Sequence, residues 1–321
     1  MNLLRLATCL SLLTAWPLFS HAAPLLKSGD RIVLLGGTLI EREQVEGYWE
    51  TPVILSASFP VTWNNLGWSG DTVWSDSRGM FDPPAKGYER MLEQIGQINP
   101  TVIIIGYGNS EAFNGPGSLD AFKKQYAKLL QDLKGENRRF VLLTPTPMEA
   151  SEIPGQSPEQ QIARASHYNA SASQYADAIA ALAAETGATL VDLSPAFSPA
   201  SGDLPMTDNG ITLNAFGYWK TGQLLSTALT GSTPDARVLP APTMTSVSPR
   251  IVSEDASPTE RLRAVIRDKN ELLFHRWRPQ NFTYLFGFRK HEQGNNAVEI
   301  PQFDPLVQEL EARIQSLKPA P

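Results

Sequence analysis

Four polar turns hold the residues of this sequence that are best suited to chemistry. They are residues 36–38 (Gly-Gly-Thr), 69–71 (Ser-Gly-Asp), 106–109 (Gly-Tyr-Gly-Asn) and 208–212 (Asp-Asn-Gly-Ile-Thr). The first three follow predicted strands, and the fourth precedes a predicted helix. Because ligands bind outside the carboxyl ends of the strands in an open parallel sheet, we expect the four turns to converge on one edge. There they would supply hydroxyl, carboxylate, amide and backbone N–H groups to a ligand.

Five apolar segments rich in β-branched residues predict the strands that position these turns. They are residues 31–35, 61–66, 101–105, 139–144 and 189–193. Continuous apolar runs are typical of a parallel sheet that is covered on both faces. Because helical segments alternate with the strands, the sequence predicts a three-layer α/β/α fold of the flavodoxin-like kind, with a parallel sheet and a helical C-terminal extension.

Helical spacing and capping signals predict the helices. They cover residues 41–58, 88–98, 119–135, 157–187 and 214–229, with further helices that begin near residues 257 and 304. Residues 157–160 form a capping box, Asn214 is a predicted N-cap, and Gly135 is a predicted C-cap. Alternating aromatic residues at 281–289 predict a short strand or an extended arm.

The composition divides the chain into four parts. Residues 1–23 have the positive start, apolar run and small residues of a secretory signal, which predicts a secreted or periplasmic protein. Residues 24–230 form the α/β domain, residues 231–257 are a linker rich in Pro, Ser and Thr, and residues 258–321 are a helical and aromatic extension. We predict no transmembrane segment after the signal.

Charge and cysteine content exclude several classes of function. The net charge of −6 disfavours nucleic acid as a partner, because phosphate binding needs clustered Lys and Arg. The only cysteine, Cys9, lies in the predicted signal, so we expect neither a disulfide nor a thiolate site. We predict no metal site and no cofactor.

The four turns resemble, in order and spacing, the conserved blocks of the SGNH or GDSL-type hydrolases. The resemblance extends over residues 29–229. It implies that Thr38 occupies the nucleophile position, that Gly70 and Asn109 donate to an oxyanion, and that Thr212 occupies the histidine position. Residues 29–33, 65–71 and 289–296 resemble most a bacterial subgroup in which such a domain heads large exported multidomain proteins.

This sequence departs from the family pattern where the chemistry is done. Threonine replaces serine at position 38, and threonine replaces histidine at position 212. Asn209 stands at the carboxylate position, with Asp208 beside it. A hydroxyl is a poor nucleophile at neutral pH unless a base takes its proton, and threonine is no base. Whether the protein is an enzyme is therefore left open.

Structural interpretations compete with the functional ones. Thr38 fits a capping box at a helix start, and Thr212 fits a turn before a helix. Among the histidines, His167 and His275 are best explained as helix surface residues. His291, beside Glu292, is the candidate for a substitute base if the C-terminal arm folds over the rim.

Two functions follow from these observations. The first is an exported esterase, for which acylated carbohydrate is one candidate substrate class. The second is an inactive domain that keeps the pocket and binds a carbohydrate, an acylated ligand or a protein partner, which the C-terminal extension would recruit.

Overall fold

The strands and helices alternate along the chain in a computed structural model that describes residues 24–198, 204–243 and 255–318. The predicted signal at residues 1–23 and the middle of the predicted linker lie outside the described residues. The strands are β1 (Arg31–Gly36), β2 (Thr62–Asn65), β3 (Val102–Gly106), β4 (Arg139–Leu143) and β5 (Thr189–Val191). They pair in parallel in the order β2-β1-β3-β4-β5, which confirms the predicted α/β fold.

The helices of the main body cover both faces of the sheet. They are α1 (Thr38–Glu46), α2 (Glu50–Ser56), α3 (Pro84–Ile98), α4 (Leu119–Asp132), α5 (Pro158–Thr186) and α6 (Ala215–Thr230). Ile32 and Leu34 of β1 pack towards α1, α2 and α6, while Val33 and Leu35 pack towards α3, α4 and α5. The alternation along a single strand therefore feeds two apolar cores.

The C-terminal segment adds three helices, two of which join one of these cores. The three are α7 (Pro258–Trp277), α8 (Phe282–Leu285) and α9 (Phe303–Leu317), and α8 has no buried residue. Leu262 and Ile266 of α7 and Ile314 of α9 are buried in the cluster that contains Ile32 and Leu34. No helix in the described part of the chain is long and apolar enough to cross a membrane.

Several predicted helix ends are confirmed. Ser157 accepts a hydrogen bond from the backbone of Gln160, whose side chain returns one to the Ser157 backbone. The Asn214 side chain accepts from the Gly217 N–H and caps α6, and Ser257 caps α7 in the same way.

Three local predictions were wrong. Residues 41–58 form two helices, because Gly47 adopts a left-handed conformation (φ 68°) that ends α1. Helix α4 ends at Asp132, and Leu133, not Gly135, is its C-cap. Within the aromatic segment 281–289, residues 282–285 form the short helix α8 and the remaining residues form turns, instead of a strand or an extended arm. The guanidinium of Arg90 lies over the Phe282 ring.

Candidate functional site

A cavity of about 170 Å³ opens where β1 and β3 end, and we call it the rim cavity. Thr38, Asp71, Asn109 and Thr212 all line it, so residues from each of the four predicted turns meet. Gly70 lies next to it, because its N–H donates a hydrogen bond to the Thr38 hydroxyl at 3.0 Å. The sequence-predicted convergence at the carboxyl edge of the sheet is therefore found in the structure.

The Thr38 hydroxyl ties two of the turns together. The capping-box interpretation of Thr38 was wrong: Gly37 is the N-cap of α1, and Thr38 Oγ1 accepts from the Gly70 N–H. The Glu41 carboxylate accepts from the Ser69 N–H and pairs with Arg278. The first turn thus holds the second one through the side chains of Thr38 and Glu41.

The first turn lies very close to the second. A Cβ atom at Gly37, where the resemblance implies an aspartate, would lie 2.7 Å from the carbonyl oxygen of Asp71. A Cβ atom at Gly36 would lie 2.5 Å from the carbonyl oxygen of Gly106. Both contacts are with backbone, so a side chain at either position requires the chain to shift.

The residues at the base and carboxylate positions serve the turn itself. Asn209 Oδ1 accepts from the backbone N–H groups of Ile211 (3.2 Å) and Thr212 (2.9 Å), which is an Asx turn. Asp208 forms a half-exposed ion pair with Arg42, with 3.4 Å between nitrogen and oxygen. Burial raises the pKa of Asp208, and the Arg42 charge opposes that shift.

No histidine lines the rim cavity in the part of the chain that the structure describes. His291 is exposed, beside an ion pair between Glu292 and Arg289. His167 is exposed on α5, and His275 lies in the last turn of α7. The structure therefore does not bring His291 to Thr38, and Thr38 has no imidazole partner among the described residues.

Asn109 is fixed by two residues that the sequence did not suggest. Its amide nitrogen donates to the Thr146 hydroxyl at 2.7 Å, and the Tyr168 hydroxyl donates to its backbone carbonyl at 3.1 Å. Its Oδ1 is buried and accepts no hydrogen bond from the described residues. Because hydroxyl groups both donate and accept, the opposite amide orientation also satisfies Thr146 and turns the NH₂ group to the unpaired position.

The two carboxylates in the lining are fully engaged. Asp71 pairs with Arg78 at 2.7 Å and accepts from the Tyr107 hydroxyl at 3.0 Å. Glu111 accepts from the backbone N–H groups of Val73 (2.7 Å) and Gly108 (2.8 Å). Burial raises the pKa of Glu111, and these backbone hydrogen bonds counteract it. Both side chains hold loops together, and no motif in the sequence had singled out Glu111.

No group of three or more His, Cys, Asp or Glu residues in the described chain is arranged to hold a metal ion. The rim cavity offers a ligand the Thr38 hydroxyl and the Asn109 amide beside an apolar wall, while the Gly70 N–H is already engaged by Thr38. That wall includes Leu39 and Phe113. Such an arrangement can receive a small polar group, but no described residue of the lining gives the Thr38 hydroxyl an imidazole partner, and both lining carboxylates are engaged elsewhere.

The chain is similar to several solved structures at low sequence identity. An acetylxylan esterase, Axe2 from Geobacillus stearothermophilus, is 16% identical, with a TM-score of 0.47 over 64% of this chain and 96% of that chain. A lipase/acylhydrolase from Enterococcus faecalis is 17% identical, with a TM-score of 0.46 over 63% and 96%. A gut microbial diltiazem-metabolizing enzyme, BT4096, is 16% identical, with a TM-score of 0.45 over 65% of this chain; the match spans only 48% of that enzyme.

No curated protein sequence matches the chain significantly. The family model for GDSL-like lipases and acylhydrolases matches residues 41–220, which is more than half of the chain. That stretch contains Gly70, Asn109, Asn209 and Thr212, whereas Thr38 lies just before it. The chain therefore belongs to the GDSL-like lipase/acylhydrolase family.

Proposed function

We propose that the protein is a member of its family that binds a small acyl ester of a carbohydrate in the rim cavity without hydrolysing it. The observation that carries this proposal is the hydrogen bond from the Gly70 N–H to Thr38 Oγ1, on a hydroxyl with no histidine beside it in the described chain. A hydroxyl without a base to take its proton attacks esters poorly. Thr212, at the histidine position, cannot act as that base, because its hydroxyl does not titrate near neutral pH.

The size of the rim cavity supports a small acyl group. Its volume of about 170 Å³ is well below the roughly 300–1,000 Å³ that is usual for sites that hold drug-sized ligands. The Asn109 amide, in the orientation that turns its NH₂ group to the unpaired position, can donate to an ester carbonyl. The Thr38 hydroxyl can donate as well, because its oxygen serves only as the acceptor for the Gly70 N–H. Phe113, 55% exposed and 4.7 Å from the Tyr168 ring centroid, offers an aromatic surface at the cavity for the sugar.

The retained donor positions favour weak ester hydrolysis as the second candidate. An active site that keeps only its oxyanion hole and binding contacts retains roughly 10³ to 10⁴-fold acceleration over water. This alternative differs from the first in one respect: turnover would depend on Thr38.

Hydrolysis assays separate the two candidates. Purified protein, Thr38→Ala and the restored variant Thr38→Ser/Asn209→Asp/Thr212→His would each be given p-nitrophenyl acetate and a fluorophosphonate probe. We expect the natural protein and Thr38→Ala to share the background rate and to stay unlabelled. Turnover by the natural protein that Thr38→Ala abolishes would establish the esterase instead. Any gain in the restored variant shows that the scaffold still supports the reaction.

Calorimetry tests binding in the same cavity. We expect an O-acetylated xylo-oligosaccharide to bind more tightly than its deacetylated form, because only the first has an ester carbonyl. Thr212→Phe, which fills the rim cavity, should remove that difference. Equal binding of the two forms would contradict the proposal.

We also propose that the protein is exported, as are the bacterial multidomain proteins whose GDSL-type domain its sequence resembles. The signal-like residues 1–23 support export. Fractionation of cells that produce the chain with and without these residues tests it: retention of both forms in the cytoplasm would contradict export.

A further inference from the structure

A second cavity, larger than the first, lies between the main body and the C-terminal segment. Its volume is about 420 Å³, and we call it the junction cavity. Trp68, helix α3, the end of α7, helix α8 and residues 297–301 form its walls. Its volume falls in the range that is usual for ligand sites.

Aromatic rings held by arginine side chains form much of this cavity. The guanidinium carbon of Arg278 lies 4.1 Å from the centroid of the Trp68 ring, and that of Arg90 lies 4.6 Å from the Phe282 ring centroid. Phe286, which is 46% exposed, adds a further ring. Because cation–π contacts keep rings in place, this surface is organised before a ligand arrives.

The charges around the cavity are balanced. Each arginine in the lining has a carboxylate partner, and the pairs are Arg78–Asp71, Arg90–Asp82, Arg276–Asp304 and Arg278–Glu41. Glu93 is the carboxylate of the described lining itself, and the four partner carboxylates lie outside that lining. Because each arginine is paired and Glu93 adds a negative charge, no uncompensated positive charge remains to attract an anionic ligand.

Uncharged donors and acceptors remain available in the junction cavity. Gln97 is exposed and forms no side-chain hydrogen bond with a described residue, and Gln94 uses only its NH₂ group, which donates to the Trp277 carbonyl at 2.6 Å. Arg276 and Arg278 each use one nitrogen in an ion pair. Amide groups and paired guanidinium groups suit hydroxyls, and aromatic faces suit the C–H faces of sugar rings.

We propose that the junction cavity binds a neutral oligosaccharide. Aromatic surface, amides and balanced charge together favour this ligand over a uronic acid chain or an acidic peptide, both of which need uncompensated positive charge. Trp68 connects this cavity to the rim, because its backbone N–H donates to the Gly36 carbonyl at 3.0 Å. The inference does not depend on whether the rim cavity binds or hydrolyses an ester.

Titration with sugars tests the proposal. The probes are the hexasaccharides of cellulose, xylan, starch and chitin, with hexagalacturonate as the acidic counterpart, and the readouts are tryptophan fluorescence and calorimetry. We expect at least one neutral hexasaccharide to bind, and Phe286→Ala to weaken it about tenfold, the loss expected for an aromatic contact of about 1.4 kcal/mol. Phe288→Ala is the matched control, since Phe288 is 76% exposed and does not line the cavity, and it should leave binding unchanged.

Three results would overturn the inference: no binding of any neutral hexasaccharide, binding of hexagalacturonate alone, or equal binding by Phe286→Ala and the natural protein. The variant Thr212→Phe keeps this test separate from the rim cavity. It should abolish the preference for an acetylated sugar while leaving neutral hexasaccharide binding intact, so each proposal can fail alone.

Discussion

The rim cavity and the interface between the first and last helices of the described chain differ in how their charged side chains are compensated. At the rim, Asp71 and Glu111 are tied by an arginine or by backbone N–H groups, and Thr38 carries no charge. Between α1, α2, α7 and α9 lies a charge cluster, formed by the buried Glu43, Glu46, Glu50 and Lys269 and the partly buried Glu311. Ionisable groups with strongly altered behaviour therefore gather at a structural interface.

The pKa values of that cluster make the contrast concrete. Burial raises the pKa of Glu43 to about 8, and the backbone hydrogen bond from Trp49 opposes the shift. Burial also raises the pKa of Glu50 to about 7, opposed by the charge of Lys269. Altered pKa values often mark active sites. Here raised pKa values occur both at the rim, as for Glu111, and at the contact of the C-terminal helices with α1 and α2, so they do not by themselves distinguish the functional site.

Removing the central cation should have the largest effect on stability. Lys269 is fully buried, pairs with Glu50, and lies 3.0 Å from a Glu311 oxygen. Lys269→Met leaves two carboxylates without their cation, so we expect the free energy of unfolding to fall by roughly 3–5 kcal/mol in urea titration. Lys123→Met, which breaks an exposed pair with Asp120, should cost at most about 1 kcal/mol. Equal losses of stability in the two variants would show that the buried charge cluster matters no more than an exposed ion pair.

The raised pKa of Glu43 predicts a pH-dependent stability. Below the usual carboxyl pKa, both folded and unfolded states hold the proton, so no penalty arises. As the pH rises towards about 8, the unfolded chain releases its proton while the folded protein retains it, and stability is lost. Glu43→Gln keeps the acceptor for the Trp49 N–H and should become more stable than the natural protein with rising pH, by on the order of 4 kcal/mol between pH 4.5 and 8.

Thermal unfolding at a series of pH values measures this difference. The exposed Glu185→Gln serves as the control and should track the natural protein throughout. If the difference in stability between Glu43→Gln and the natural protein stayed constant across this pH range, the loss of stability with rising pH would not come from Glu43.

Restoring the aspartate of the family at the rim should have a smaller effect. Gly37→Asp puts a Cβ atom 2.7 Å from the Asp71 carbonyl oxygen, so the turn must shift at a cost of roughly 2 kcal/mol. Gly117→Asp, where a Cβ atom meets nothing within 4 Å, is the matched control. If urea titration finds both variants equally stable, the rim is more adaptable than the close approach of its turns indicates.

The strands were the most predictable part of the fold. The run of Ile103, Ile104 and Ile105 identifies β3 because only a strand buried on both faces suits so many β-branched residues. The capping residues Ser157 and Asn214 also correctly predicted the starts of α5 and α6. Aromatic alternation around Phe282 failed as a strand signal: the segment forms helix α8, and Phe282 contacts Arg90 of α3, a partner that local sequence does not identify.

The candidate site was predictable in outline only. Spacing and topology place Thr38, Asn109 and Thr212 around one cavity, because the carboxyl ends of parallel strands meet. Hydrogen-bond partners were not predictable: Thr146 and Tyr168 lie 37 and 59 residues beyond Asn109, and no motif links them. The partner of the Thr38 hydroxyl also depends on a contact between two turns that neither turn specifies alone.

The two edge strands of the sheet, β5 and β2, are limited in different ways as sites for pairing with other chains. An edge strand with unpaired N–H and C=O groups invites pairing with other chains, and proteins limit this by keeping the strand short or covering it. At one edge β5 has only three residues. At the other, α7 lies against β2, and the Trp277 indole donates to the Asn64 side chain at 3.3 Å. The same helix that contributes to the junction cavity thus lies against the edge strand β2, where it should hinder the pairing of another chain.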